Sequence, residues 1–179
     1  MGIDEEVRVY EPVVHHDERG SFYESYNKTA FDAWVGRDVR FVQDNHSVSA
    51  YGVLRGLHYQ LEPEAQAKLV RASCGSIFDV AVDIRRSSPT FGEWRGFELS
   101  AENHRQLWIP EGFAHGFLAL DDGAEVQYKT SAGYAPALDR VIRWDDPSIG
   151  IGWPLGRGQP IVGERDAEAP TLADSEIFA

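Results

Sequence analysis

Apolar and polar positions alternate most clearly between residues 78 and 84. Phe78, Val80, Val82 and Ile84 share one face there, and Asp79, Ala81 and Asp83 share the other. That period of two is the pattern of a strand with two distinct faces. Weaker segments of the same kind lie at 7–11, 20–25, 40–46, 53–60, 67–73, 93–99, 106–109, 115–120 and 124–130. Gly, Pro, Asp and Ser break them at intervals of about ten residues, the rhythm of an all-β sandwich or barrel. The run Asn27–Trp34 breaks that rhythm and predicts a short helix behind a polar cap. The tail from Arg157 onward is loop-rich, with a short helix expected within 166–176. No internal repeat or low-complexity stretch interrupts the chain, which predicts one domain over residues 1–179.

Composition narrows the function. The 29 acidic residues outnumber 17 basic ones for a net charge of −12, which argues against general nucleic-acid binding because phosphate neutralisation needs a basic face. The same charge repels an anionic ligand at long range, so a phosphorylated substrate must be captured by local arginines. No apolar run approaches membrane-spanning length, and no membrane partner is expected. The first residues, Met1–Glu6, are acidic and unlike a signal peptide. Cys74 stands alone, so no intramolecular disulfide forms. Together these features predict a cytoplasmic protein.

Candidate chemistry concentrates in two runs. Pro110-Glu111-Gly112-Phe113-Ala114-His115 resembles the second motif of a cupin barrel in its Pro-x-Gly-x-x-His spacing. Where the first cupin motif offers His-x-His, this chain has His58-Tyr59-Gln60, and the usual glutamate position, counted back from Gly75, falls on Lys68. An ammonium in a ligand shell repels a divalent ion. The pocket therefore reads as metal-free, although Glu64 fits a looser count and keeps the metal reading open. A histidine and a lysine together suit proton abstraction from carbon, with the histidine as base and the lysine stabilising an enolate oxygen. Taken singly each has an ordinary reading: a hydrogen-bonded strand histidine for His58, a snorkelling side chain for Lys68, rim packing for Tyr128, a turn residue for Arg19. Arg55, Lys68, Arg71, Asp79 and Asp83 lie in neighbouring predicted strands able to line one pocket, and periodicity leaves open which aspartate faces His58. No Gly-x-Gly-x-x-Gly fingerprint is present, and no cofactor is expected.

Seven runs in order extend the likeness: Asp17–Ser25, Phe41–Ser47, Val53–Gln60, Lys68–Arg71, Phe78–Arg85, Ser88–Gly92 and Ile109–Phe117. Over roughly residues 7–172 the chain resembles the dTDP-4-dehydrorhamnose 3,5-epimerase family. The resemblance implies a cupin-type jelly-roll barrel with a few short helices, working without a metal on a dTDP-sugar. It places the catalytic base at His58, its orienting carboxylate at Asp166, the opposing acid at Tyr128 and the enolate-stabilising cation at Lys68. It places sugar-nucleotide contacts at Arg19, Glu24, Gln43, Asp44, Asn45, Arg55, His115, Asp139 and Arg165. It further implies a homodimer with an exchanged N-terminal strand, Arg19 and Glu24 serving the neighbour's pocket.

The chain departs from the family pattern in three places. Gly133-Tyr134 stand where many members have two tyrosines, which removes stacking area near the nucleotide base. Asp139 replaces a glutamate one methylene longer, and Val162-Gly163-Glu164-Arg165 replaces a Leu-Ser-x-Lys pattern. A relative that inverts C3 or C5 alone shares the whole scaffold and stays open as an alternative. A metal-dependent cupin fits less well because His-x-His is missing, and a non-catalytic sugar-nucleotide-binding module because it would need the arginine clamp but neither Tyr128 nor Asp166.

Overall fold

The computed structural model describes residues 2–156 and 158–179. Met1 and Arg157, which the readings of the N-terminus and of the tail include, lie outside the described residues. In chain order the strands are β1 (Arg8–Tyr10), β2 (His15–Asp17), β3 (Gly20–Phe22), β4 (Gln43–Ser49), β5 (Val53–Gln60), β6 (Lys68–Cys74) and β7 (Ser76–Asp83). They continue with β8 (Trp94–Ser100), β9 (Gln106–Ile109), β10 (Phe113–Ala119), β11 (Ala124–Thr130), β12 (Asp139–Val141) and β13 (Ile161–Val162). Among the described residues there are three short α-helices, α1 (Ile3–Glu6), α2 (Lys28–Val35) and α3 (Glu164–Ala167).

Two sheets face each other. One has the order β1-β9-β6-β11-β4, the other β12-β5-β10-β7-β8 with β13 alongside β5. Apart from the β2–β3 and β7–β8 hairpins, consecutive strands land in different sheets or at non-adjacent positions, the jelly-roll habit of an all-β, cupin-like fold. Between the sheets lies a core of Val70, Ala72, Leu107, Phe113, Phe117 and Val126, closed at one end by Ile3 and Val7 of the N-terminal segment. A second core covers the outer face of the β5–β10–β7 sheet: Leu54, Leu57, Val80, Val82 and Leu118 lie under Ile142, Trp153 and Leu172. A third seats Phe31 of α2 on Leu69 and Trp108. Each large side chain so buried contributes about 2–3 kcal/mol, so the C-terminal segment is held firmly enough to position a functional group.

The alternation in β7 turns out to have its polar row on the inside. Val80 and Val82 face the C-terminal cover, while Asp79 and Asp83 are fully buried. β10 is buried at every position, as a central strand covered on both faces must be. Helix α2 begins where the sequence places its cap, with Asn27 Oδ1 accepting from Ala30 N at 3.2 Å. Within the tail, two short helical pieces replace the single expected helix, α3 and a 3₁₀ turn at Leu172–Asp174.

Candidate active site

His58 sits on β5, and its position depends on glycine. Gly56 has φ +127°, and a Cβ there would lie 2.6 Å from the Gly116 Cα and 2.8 Å from the His115 carbonyl oxygen. Two glycines thus let β5 and β10 approach closely and set His58 directly opposite His115 in the register. The His58 Nε2 bonds to Asp166 Oδ1 at 2.7 Å. Asp166 Oδ2 accepts from the Gly56 amide at 2.9 Å, so one carboxylate grips both the ring and its strand. Burial would raise the Asp166 pKa, but the His58 bond and charge, the Gly56 amide and nearby Arg165 hold it below the usual carboxylate range.

Helix α3 carries Asp166 and has no side-chain cap of its own, so its placement comes from elsewhere. Arg165 Nη1 bonds Asp139 Oδ2 on β12 at 2.7 Å. Asp146 Oδ2 accepts from Leu172 N at 2.6 Å, and the Arg143 amide donates to Pro170 O at 2.9 Å. Gly163, for all its freedom, is bounded by anchored residues.

Across the interior, Lys68 enters from β6 and is 5% exposed. Its Nζ donates to the His58 carbonyl oxygen at 3.1 Å. Burial pushes its pKa down to about 8, partly offset by the charges of Asp79 and Asp139. Tyr128 on β11 packs edge-on to His115 with ring centroids 6.3 Å apart. Burial raises its phenol above the ordinary value, so it keeps its proton at neutral pH. His115 is buried on Asp79, Nε2 to Oδ1 2.7 Å, and burial lowers its pKa, leaving a neutral ring.

His58, Lys68, Tyr128, Asn45, Asp139 and Arg165 line one cavity of about 330 Å³. Gln43 joins them and fixes the loop below, accepting from Tyr134 N at 2.9 Å and donating to Asn45 Oδ1 at 2.8 Å. Arg55 sits nearby, held by Ser49 Oγ and the Val48 carbonyl. Gln60 and Tyr134 also belong to this wall, although the sequence reading assigned them no role. Gln60 bonds Gly133 O and Ala135 N, and Tyr134 OH donates to Asp139 Oδ2 at 3.2 Å. Their signals were present: Gln60 shares a strand face with His58, two residues earlier, and Tyr134 follows the glycine already noted.

Other expected residues stand apart. Asp44 pairs with Lys129 at 2.8 Å and lines a different cavity on the outer face of the β6–β11–β4 sheet. Arg71 faces the same way, bonded to Gln127 and Tyr23. Asp83 is tied to Arg85, Ser88 and Thr90 rather than to His58. Arg19 is 85% exposed on the β2–β3 hairpin and pairs with Asp17, and Glu24 accepts from Asn27. Neither reaches the cavity of its own chain. The ligand set for a metal does not fit: the buried ammonium of Lys68 occupies the counted position, and among the described residues no three His, Cys, Asp or Glu side chains converge to hold an ion.

One small cavity thus gathers a histidine bonded to a carboxylate behind it, a phenol that keeps its proton and a buried lysine. The family model dTDP-4-dehydrorhamnose 3,5-epimerase matches residues 3–174. The chain is 57% identical to the dTDP-4-dehydrorhamnose 3,5-epimerase of Shigella flexneri, over 97% of this chain and 94% of that one. It is 56% identical to that of Pseudomonas aeruginosa, with the same coverage. Among solved structures it is similar to the dTDP-6-deoxy-D-glucose-3,5-epimerase of Legionella pneumophila in complex with dTDP-4-keto-L-rhamnose. That match has a TM-score of 0.93 and 48% identity, covering 98% of this chain and 92% of that one.

Proposed function

The chain belongs to the dTDP-4-dehydrorhamnose 3,5-epimerase family, and on that footing we propose that it inverts C3 and C5 of dTDP-4-dehydro-6-deoxy-D-glucose to give dTDP-4-dehydro-L-rhamnose. It is an isomerase. The observation that carries the mechanism is the His58–Asp166 bond in the cavity shared with Tyr128 and Lys68.

The C4 ketone of the substrate acidifies the protons on C3 and C5. With Nε2 committed to Asp166, the other ring nitrogen of His58 holds the lone pair that takes each proton. The electrons move onto the C4 oxygen as an enolate, where the Lys68 ammonium stabilises the charge. Tyr128 returns a proton to the opposite face of the carbon and is itself reprotonated from solvent, as His58 releases its proton there. The net change at each centre is inversion. A base and an acid on opposite faces are what inversion needs, since a single group tends to restore the starting centre.

Gln43, Asn45, Arg55, His115, Asp139 and Arg165 would bind and orient the sugar nucleotide, arginine contributing the bidentate geometry that suits a diphosphate. A homodimer completes the site. Every residue of the β2–β3 hairpin is exposed, Phe22 to 71%, and Val13 just before it to 74%. β4 ends its sheet with one edge unpaired by the described strands. A hairpin without a home and an edge without a neighbour support exchange between two copies, carrying Arg19, Glu24 and, from the neighbouring β4, Asp44 to the shared mouth. Deuterium incorporation at C3 and C5 of the substrate tests the reading.

A further inference from the structure

Asp79 is 0% exposed, yet the proton-transfer scheme gives it no task. One carboxylate oxygen accepts from His115 at 2.7 Å. The other, Oδ2, is sealed from solvent without a hydrogen-bond partner among the described residues. Leaving such an atom unpaired costs about 1–3 kcal/mol, more when it is charged, so its retention calls for a compensating charge. His115 supplies none, because burial keeps that ring neutral. Lys68 is the complementary case. It is 5% exposed, makes no ion pair among the described residues, and has a neutral carbonyl as its hydrogen-bond partner.

The charges around Lys68 can be assigned in turn. Arg55 and His58 come from β5, His115 from β10, Tyr128 from β11, Asp139 from β12, and Arg165 and Asp166 from α3; β9 presents apolar Ile109 opposite Lys68. Asp139 is matched by Arg165 at 2.7 Å, and Asp166 has both oxygens hydrogen-bonded, to His58 at 2.7 Å and to the Gly56 amide at 2.9 Å, with Arg165 nearby. Tyr128 is neutral while its raised pKa holds. Among these carboxylates only Asp79, on β7, keeps a buried oxygen without a hydrogen-bond partner among the described residues.

We infer that Asp79 is a positioning residue for the epimerisation: the buried counter-charge, tethered by His115, that holds Lys68 in its ammonium form. This rests on Lys68 being the cation that meets the enolate. Without the carboxylate, desolvation alone would strip the proton from Lys68 and leave an amine that cannot stabilise an oxyanion.

The chain has three lysines, Lys28, Lys68 and Lys129, so ¹³C-lysine NMR resolves the titration of each without turnover. The test compares the wild type with Asp79→Asn, whose amide oxygen still accepts from His115. The Lys68 midpoint is expected to fall by about one pH unit or more. The alkaline limb of kcat should move down with it, while Lys28 and Lys129 stay in place. A Lys68 midpoint unmoved in Asp79→Asn overturns the inference. If Asp79→Asn does not fold, the wild type decides: titration near 8 supports the counter-charge, and titration below about pH 7, as for an uncompensated buried lysine, overturns it. Loss of C3 and C5 exchange in the wild type, with the Lys68 midpoint still dependent on Asp79, would refute the epimerase reading and leave the counter-charge standing.

Discussion

Asp166 reaches His58 across 108 residues of sequence and closes on it at 2.7 Å, while its second oxygen takes the Gly56 amide of the same strand at 2.9 Å. The ring is therefore oriented by the C-terminal segment and not by β5 alone. The position of the ring depends on a strand and on the cover that packs behind it.

Asp166→Asn keeps an oxygen for the Gly56 amide but removes the carboxylate that holds His58 Nε2. Deuterium incorporation at C3 and C5 should fall by about 10²–10⁴-fold, with circular dichroism unchanged. Incorporation at the wild-type rate would remove Asp166 from the mechanism.

Tyr128→Phe should separate abstraction from inversion. His58 still takes the proton and can return deuterium from solvent to the same face. NMR in D₂O should show label entering at a rate within about tenfold of wild type while inverted product falls by about 10²-fold or more. Equal loss of both would mean that Tyr128 serves binding rather than proton delivery.

Lys68 also sets a pH dependence of stability. Its folded pKa of about 8 lies below its ordinary value of 10.5. Between those values the unfolded chain holds a proton that the native one has released, so stability rises with pH across the window. Below about 8 the cost of the buried charge is fully present, roughly 3 kcal/mol. Lys68→Met should lack this rise, so the wild type should gain up to roughly 3 kcal/mol on it between about pH 8 and pH 10.5, as denaturant titrations at each pH would measure. A constant difference between the two proteins would contradict the buried-charge account.

Gly56→Ala places a Cβ 2.6 Å from the Gly116 Cα at φ +127°. The backbone of His115 and Gly116 leaves the methyl nowhere to go. Stability should drop by at least about 2 kcal/mol, and the His58–Asp166 bond should be disturbed as β5 shifts. A melting temperature equal to wild type would show that β5 and β10 tolerate separation.

Much of the scaffold was legible because longer strands such as β5, β6 and β11 bury at least one face. Strands 53–60, 106–109 and 124–130 have the bounds read from the sequence. The β2–β3 hairpin was not found as such, because exposed residues from His15 to Phe22 carry no alternation. β12 and β13 span three and two residues, too few for a period to register. The inward turn of the Asp79 face was also hidden, since alternation gives two faces without saying which one meets the core. In the site, His58 and Lys68 stood out from strand context and residue type. Asp166 did not: nothing local links it to His58, and its place came from family likeness. The Arg165–Asp139 and Gln60–Gly133 contacts join segments far apart in sequence and appear only once the chain is folded.

The most direct test of the central claim is ¹H NMR of dTDP-4-dehydro-6-deoxy-D-glucose with the purified protein in D₂O and EDTA. A double epimerase working through His58 and Tyr128 will place deuterium at both C3 and C5 and yield the L-sugar when a reductase traps the product. Deuterium at one carbon alone, or at neither while the nucleotide still binds, would contradict it.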